Sequence, residues 1–194
     1  MANNGSLVGQ VAVLVPIKAF GAAKVRLAPA LDAGQRAELA RTMAAQVLAA
    51  AHPLPVAVVC DDPEVAAWAG ERGALVIREP GRGLNGAVEE GVAWLAAAGA
   101  TQVIVAHGDL PLARRLAWVA DFPGVTLVPD RRDDGTNVAC VPAATGFCFA
   151  YGPGSFARHA AEARRLGLGL RITREPSLGW DVDVPGDLVT APSA

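Results

Sequence analysis

Aromatic residues make up only 5% of this 194-residue chain, while hydrophobic residues make up 52%. The core must therefore be aliphatic, built from Val, Leu and Ala rather than large rings. Charge of one sign is not in excess: 17 basic residues stand against 19 acidic ones, a net charge of −2. That balance argues against a protein that coats nucleic acid. No apolar run approaches the roughly 20 residues that span a bilayer, so no membrane helix is expected. Met1 to Gly9 is short and polar and lacks the basic-then-apolar order of a signal peptide. Cysteine is sparse. Cys60, Cys140 and Cys148 form no CxxC pair and each sits in an apolar run. They read as buried thiols of a cytoplasmic protein, not as a disulfide framework or zinc site. With charged residues at only 19%, disorder as the dominant state is also excluded.

What is present is strand followed by helix, repeated. Val11 to Val15 is a short unbroken apolar run ended by Pro16, as expected of a strand buried on both faces. Asp32, with Gln35 three residues on, predicts a capped helix over Ala33 to Ala51, with Leu39, Met43 and Val47 on one face and His52 at its end. Val56 to Val59 predicts a second strand, and Asp62-Pro63 opens a second helix. Leu75 to Ile77 predicts a third strand. The Gly81 to Gly83 turn leads to a helix over Leu84 to Ala98, and Val103 to Ala106 predicts a fourth strand. Crossovers this regular imply a parallel sheet with helices on both faces, and such sheets bind ligands beyond the carboxyl ends of their strands. The remainder is less regular. Strands are expected at Val125 to Val128, Val138 to Val141, Phe147 to Tyr151 and Leu168 to Ile172. A helix is expected at Ser155 to Leu166, and an extended stretch at Trp180 to Val184 before a helical turn near Asp187. No repeat or linker divides the chain, so residues 1–194 read as one domain, frayed at 1–9 and 191–194.

Candidate chemistry clusters at the predicted strand ends. In an extended chain Asp181 and Asp183 point to the same side. Two carboxylates aimed at one point repel unless a cation relieves them, and magnesium takes such hard oxygen ligands. The alternative is an ordinary helix-start aspartate with a neighbour. Asp109 follows the fourth strand directly, and it is either a turn aspartate before Pro111 or the third member of a carboxylate cluster for a metal and a triphosphate. The loop after the first strand, from Pro16 through Lys18, Lys24 and Arg26, is not a GxxxxGK[ST] loop. It is either a solvated basic loop or a cradle for phosphates. Asn85 either caps the third helix or reads a base edge. Ser155 opens a helix after Tyr151-Gly152-Pro153-Gly154, as a plain cap or within an anion site. His159 faces that site or solvent, and neither it nor His107 has an assigned role. No Ser-His-Asp order is evident.

In this order the segments are recognisable. They are Val15-Pro16-Ile17-Lys18, Ala23-Lys24-Val25-Arg26-Leu27, Gly83-Leu84-Asn85, Gly108-Asp109-Leu110-Pro111 and Asp134-Gly135-Thr136-Asn137. Gly152-Pro153-Gly154-Ser155-Phe156-Ala157-Arg158-His159 and Asp181-Val182-Asp183-Val184-Pro185-Gly186-Asp187-Leu188 complete the set. The chain resembles the CofC/FbiD family of 2-phospho-L-lactate or phosphoenolpyruvate guanylyltransferases of coenzyme F-420 biosynthesis. The Gly-Thr-Asn turn and the Gly-Ser-Phe-x-x-His helix start narrow the match. His107-Gly108 departs from the small or apolar residues more common there.

The resemblance implies an α/β fold, a three-layer Rossmann-like nucleotidyltransferase of the glycosyltransferase-A type with a mixed, mostly parallel sheet. It implies GTP as donor, with Pro16, Lys18, Lys24, Arg26 and Asn85 at the nucleotide and Lys24 also at the chemistry. It implies Mg2+ on Asp109, Asp181 and Asp183. It implies Thr136, Gly152 and Ser155 at a phosphorylated three-carbon acid, and a downstream transferase that accepts an unstable product. The rivals are another small-molecule nucleotidyltransferase, of molybdopterin or sugar-phosphate type, and a non-catalytic nucleotide-binding regulator.

Overall fold

The computed structural model describes residues 10–78 and 81–188; the expected fraying at 1–9 and 191–194 lies outside the described residues. Seven strands form one sheet in the order β3-β2-β1-β4-β6-β5-β7. β1 (Val11–Pro16), β2 (Val56–Cys60), β3 (Leu75–Arg78) and β4 (Gln102–Ala106) are parallel to one another. β6 (Thr136–Pro142) runs antiparallel to both β4 and β5 (Val125–Pro129), and β7 (Leu170–Ile172) is parallel to β5. The sheet is thus mixed and mostly parallel, as expected.

Alternation along β1 builds both sides of the core. Val13 and Val15 pack with α1 (Ala33–Ala51) and α2 (Pro63–Glu71), while Ala12 and Leu14 pack with α3 (Gly83–Ala97) and α4 (Ser155–Arg165). β4 repeats the division, with Ile104 on the first face and Val103 and Val105 on the second. A central strand buried on both faces needs a continuous apolar run, which is what β1 and β4 carry. Scarce aromatics are offset by close approach. A Cβ at Gly91 of α3 would stand 2.6 Å from Leu14 Cδ2, so this glycine lets the helix lie directly on β1. Asp32 and Gln35 form a complete capping box on α1, and Asp62 caps α2.

Two expectations are corrected and one element is new. Phe147 to Tyr151 forms no strand and joins no ladder of the described sheet. Its amides are instead held by side chains: Cys148 N–H by Glu162, Phe149 N–H by Glu89, Ala150 N–H by His159 and Tyr151 N–H by Asn85. These acceptors satisfy the backbone without a ladder. Cys148 accordingly is exposed, unlike Cys60 and Cys140, and all three are free thiols. The four-residue helix α5 (Pro176–Gly179) carries no apolar periodicity long enough to foresee. No helix among the described residues is long and apolar enough to cross a membrane.

Candidate active site

The strand order turns outward from β1, with β2 on one side and β4 on the other. In a doubly wound sheet that switch leaves a crevice beyond the carboxyl ends of those strands. A cavity of about 590 Å³ lies there, lined by Pro16, Lys18, Lys24, Arg26, Asp109 and Asp183 among others. Six of the residues singled out from the sequence therefore share one wall. They come from the end of β1, the loop after it, the end of β4, and the extended stretch after α5.

Lys24 is at the centre. Its Nζ donates to Asp109 Oδ2 at 2.6 Å and to Asp183 Oδ1 at 3.0 Å, bridging residues from three separate segments. Among the described residues it is one of two non-glycine residues with positive φ, at 54°. The left-handed conformation is unfavourable for a side-chain-bearing residue, by about 1–2 kcal/mol. Here it sits between two short 3-10 turns, Phe20–Ala22 and Val25–Leu27. Arg26 lies further out, mostly exposed, 3.6 Å from Asp183 Oδ2.

The charges tune one another. Burial alone would lower the Lys24 pKa, but Asp109 and Asp183 outweigh it and raise it, so the side chain stays an ammonium. Burial would raise Asp109, yet the Lys24 charge and the Lys24 hydrogen bond hold it below the ordinary carboxylate range. Asp181 moves the other way. Burial raises it, and the negative charge of Asp109 adds to the rise. Arg131 stands 3.6 Å from Asp181 Oδ1 without hydrogen-bonding it.

The three aspartates are neighbours in charge but not a ready-made metal centre. Among the described residues no group of three or more His, Cys, Asp or Glu side chains is arranged to hold a metal ion. Lys24 stands between Asp109 and Asp183, and its ammonium relieves their mutual repulsion. Two buried oxygens of the cluster, Asp109 Oδ1 and Asp181 Oδ1, still lack hydrogen-bond partners. Such oxygens, all carboxylate, have the chemistry that suits magnesium, so the donor set fits that ion.

The remaining expected residues, Asp181 among them, are not on the cavity wall. Asn85 neither caps α3, which begins at Gly83, nor lines the cavity. Its Oδ1 accepts Tyr151 N–H at 2.7 Å. Ser155 is the first residue of α4, after Gly154 at the cap, and its buried Oγ accepts Thr136 N–H at 3.0 Å. Thr136 Oγ1 meets His159 Nδ1 at 3.0 Å. His159 Nε2 accepts Ala150 N–H, so Nδ1 carries the proton and donates to Thr136. His159 is fully buried rather than facing solvent, and burial lowers its pKa to about 4. Gly152 is exposed at φ +114°, a conformation that favours glycine.

Sequence reasoning missed the device that holds Asp181 and Asp183. Arg131 stacks 4.2 Å over the Trp180 ring, donates to the Asp181 carbonyl at 2.9 Å and pairs with Asp187. Asp187 Oδ2 accepts the N–H groups of Asp183 and Val184 at 2.8 and 2.9 Å. These bonds lower its pKa against the effect of burial. The sequence places only a helical turn near Asp187. Its carboxylate instead folds back onto the segment before it. The signal present in the sequence was an acid four residues after Asp183 with an arginine free to meet it.

The model of the family described as "Guanylyl transferase CofC like" matches residues 11–191. The chain belongs to this family. Curated relatives include the phosphoenolpyruvate guanylyltransferase of Sphaerobacter thermophilus, 39% identical over 90% of this chain and 89% of that one. That of Streptomyces coelicolor is 38% identical over 92% of this chain and 88% of the relative. Among solved structures, a cytidylyltransferase from Leptospira borgpetersenii matches with a TM-score of 0.62 at 12% identity, over 92% of this chain and 83% of that one. A CMP:2-keto-3-deoxy-manno-octonic acid synthetase complexed with CTP matches with a TM-score of 0.60 at 16% identity, over 93% and 95%. At such identities the structures establish the nucleotidyltransferase-like fold. Within the CofC-like family frame, the Lys24–Asp109–Asp183 cluster sits where β1 and β4 end, beside the cavity.

Proposed function

We propose that this protein transfers GMP from GTP to the phosphate of phosphoenolpyruvate, releasing pyrophosphate. Family membership and the names of the relatives support the reaction type. The observation that carries the site is the Lys24 ammonium between Asp109 and Asp183 at the cavity wall. The acceptor phosphate oxygen attacks the α-phosphorus of GTP, a new P–O bond forms, and the bond to the β-phosphate oxygen breaks. Nucleophile and electrophile are both anionic, so the principal barrier is charge repulsion. Lys18, Lys24 and Arg26 supply fixed positive charge along that wall. The acceptor phosphate is ionised at neutral pH, so no side chain need take a proton.

Magnesium belongs to this reading, and Asp109, Asp181 and Asp183 would hold it. When bound it would neutralise phosphate charge and stabilise the leaving pyrophosphate. Lys24 then has two roles in the chain's own chemistry. It holds Asp109 and Asp183 in register before substrate arrives, and it offers its ammonium to the triphosphate. A cytoplasmic location and a following transferase that consumes the phosphoanhydride product complete the proposal.

The test is product mass after incubation with GTP, magnesium and equimolar phosphoenolpyruvate and 2-phospho-L-lactate. The expected product carries GMP on the enolpyruvyl acid. Release of pyrophosphate only with CTP or sugar phosphates overturns the assignment.

A further inference from the structure

The cavity reaches beyond the acidic cluster to the end of β2. Val13 of β1 pairs with Val56 of β2 and with Ile104 of β4, so the three strands end nearly level, with β1 in the middle. Neighbouring strands lie about 4.8 Å apart, which puts the end of β2 about 10 Å across the sheet from the end of β4. Asp109 lies just beyond β4, and Asp61 follows β2 directly.

Among the described residues three carboxylates line the cavity: Asp61, Asp109 and Asp183. Lys24 bridges the last two. Asp61 is exposed, and its carboxylate makes no hydrogen bond or ion pair with a described residue. Its backbone is fixed all the same, because Arg78 Nη2 donates to the Asp61 carbonyl at 3.2 Å. The next residue, Asp62, already caps α2: its Oδ1 accepts the N–H groups of Glu64 and Val65 at 2.9 and 3.0 Å. The helix start therefore has no use for a second aspartate. Leu84 and Ala87, in the first turns of α3, line the same cavity and offer apolar surface to the face of a ring. Asn85, the residue suited by type to a base edge, has its Oδ1 taken by Tyr151 N–H.

We propose that Asp61 reads the guanine of the nucleotide, its two carboxylate oxygens accepting the ring N1–H and the N2 amino group. The proposal rests on the guanylyl-transfer reading for the identity of the nucleotide. A carboxylate only accepts, through two oxygens in one plane. Guanine carries two donors side by side on one edge, and hydrogen bonds from them to a carboxylate are charge-assisted. Adenine and cytosine place a bare ring nitrogen, itself an acceptor, where guanine has N1–H. Uracil offers a single N–H between two carbonyl oxygens. With the phosphates beside Lys24 and Asp109, the ribose covers the distance across the sheet and the base comes to rest over the end of β2. Asp61 thus sets selectivity at a distance from the reacting phosphorus.

The test is equilibrium binding of nucleoside triphosphates to the full chain in magnesium buffer, without acceptor, by titration calorimetry. ITP lacks only the N2 amino group of GTP, and XTP has an oxygen in its place. Wild type should bind ITP about tenfold or more weakly than GTP, and XTP more weakly again. Asp61→Asn keeps the shape and replaces one acceptor by an amide donor. That donor meets the xanthine oxygen, while the remaining oxygen keeps N1–H. The variant should lose about tenfold or more in GTP affinity and should prefer XTP to GTP. Its urea midpoint should match wild type, because Asp61 is exposed and Asp62 retains the cap. Equal binding of GTP and ITP by wild type overturns the assignment, as does an unchanged GTP-to-XTP ratio in Asp61→Asn. Equal weakening of GTP and XTP in the variant overturns it too, since the loss would then be blind to the base. Binding separates this proposal from the reaction assignment. If GTP and phosphoenolpyruvate give no product, yet wild type prefers GTP and Asp61→Asn reverses the preference, Asp61 reads guanine and the acceptor assignment falls. If wild type binds ATP or CTP as tightly as GTP, the guanine contact falls whatever the turnover assay shows.

Discussion

The two halves of this molecule hold their backbone in different ways. From β1 to β4 the chain is fixed by ladders and helix caps whose partners are close in sequence or lie in regular crossovers. From Phe147 onward, two segments that flank the site are fixed by single side chains rather than by a ladder. Asn85, Glu89, His159 and Glu162 hold residues 148–151, and Asp187 with Arg131 holds residues 181–184. The first half gives a rigid floor that ends in Pro16 and Asp109. The second brings in Asp181, Asp183 and Tyr151 on latches. A latch depends on one atom, whereas a ladder shares its load over many, so the second half should fail at single substitutions that the first half tolerates.

The sharpest break comes where the halves meet. Lys24→Met removes the ammonium that bridges Asp109 and Asp183, and turnover should fall on the order of 10²–10³-fold, measured as pyrophosphate release. Next is Arg131→Met, which removes the nearer of the two guanidinium groups paired with the buried Asp187 carboxylate and leaves Arg132 at 3.6 Å. About 2–3 kcal/mol of stability should be lost, read from the urea midpoint, and turnover should fall with it because the 181–184 segment is released. Asn85→Ala frees the Tyr151 N–H. It should cost about 1–2 kcal/mol by the same measurement. Ile104→Val in β4 tests the other half: about 1 kcal/mol, with the KM for either substrate unchanged.

The smallest expected effect concerns pH. His159 has its folded pKa lowered by burial to about 4, below the unfolded value of about 6.5. The unfolded chain binds the proton more readily, so this stability is complete above about pH 6.5 and is lost as pH falls toward 4. Between pH 7 and pH 6 the loss should be under about 1 kcal/mol. His107 is lowered in the same direction by burial, so wild type carries both contributions. Urea titrations at the two pH values should show a shallower dependence in His159→Asn, and an unchanged one would contradict the buried-neutral assignment.

The same division explains what could be read without coordinates. Val11 to Val15 and Val103 to Ala106 announce buried strands because both faces must be apolar. Asp32 and Gln35 announce a helix start because both capping partners are local. Phe147 to Tyr151 reads as a strand for equally good local reasons, its residues being apolar and aromatic. Its acceptors lie tens of residues away on α3, while others sit on α4, and nothing in the segment itself reports them. Asp109, Asp183, Lys18, Lys24 and Arg26 were legible because residues at strand ends face the crevice by topology. The salt bridge through Lys24 was not, because a metal relieves paired carboxylates in sequence as well as an ammonium does. Thr136 and Ser155 were legible as hydroxyls near a helix start, but their mutual hydrogen bonding needs β6 and α4 docked together.

The account stands on the acidic cluster being the place of phosphoryl chemistry rather than a structural ion pair. Asp183→Ala tests this most directly, since its side chain is 38% exposed at the cavity wall and contributes little to the core. Pyrophosphate release from GTP and phosphoenolpyruvate should be abolished while the circular dichroism spectrum and urea midpoint stay close to wild type. Wild-type turnover in the folded variant would contradict the account.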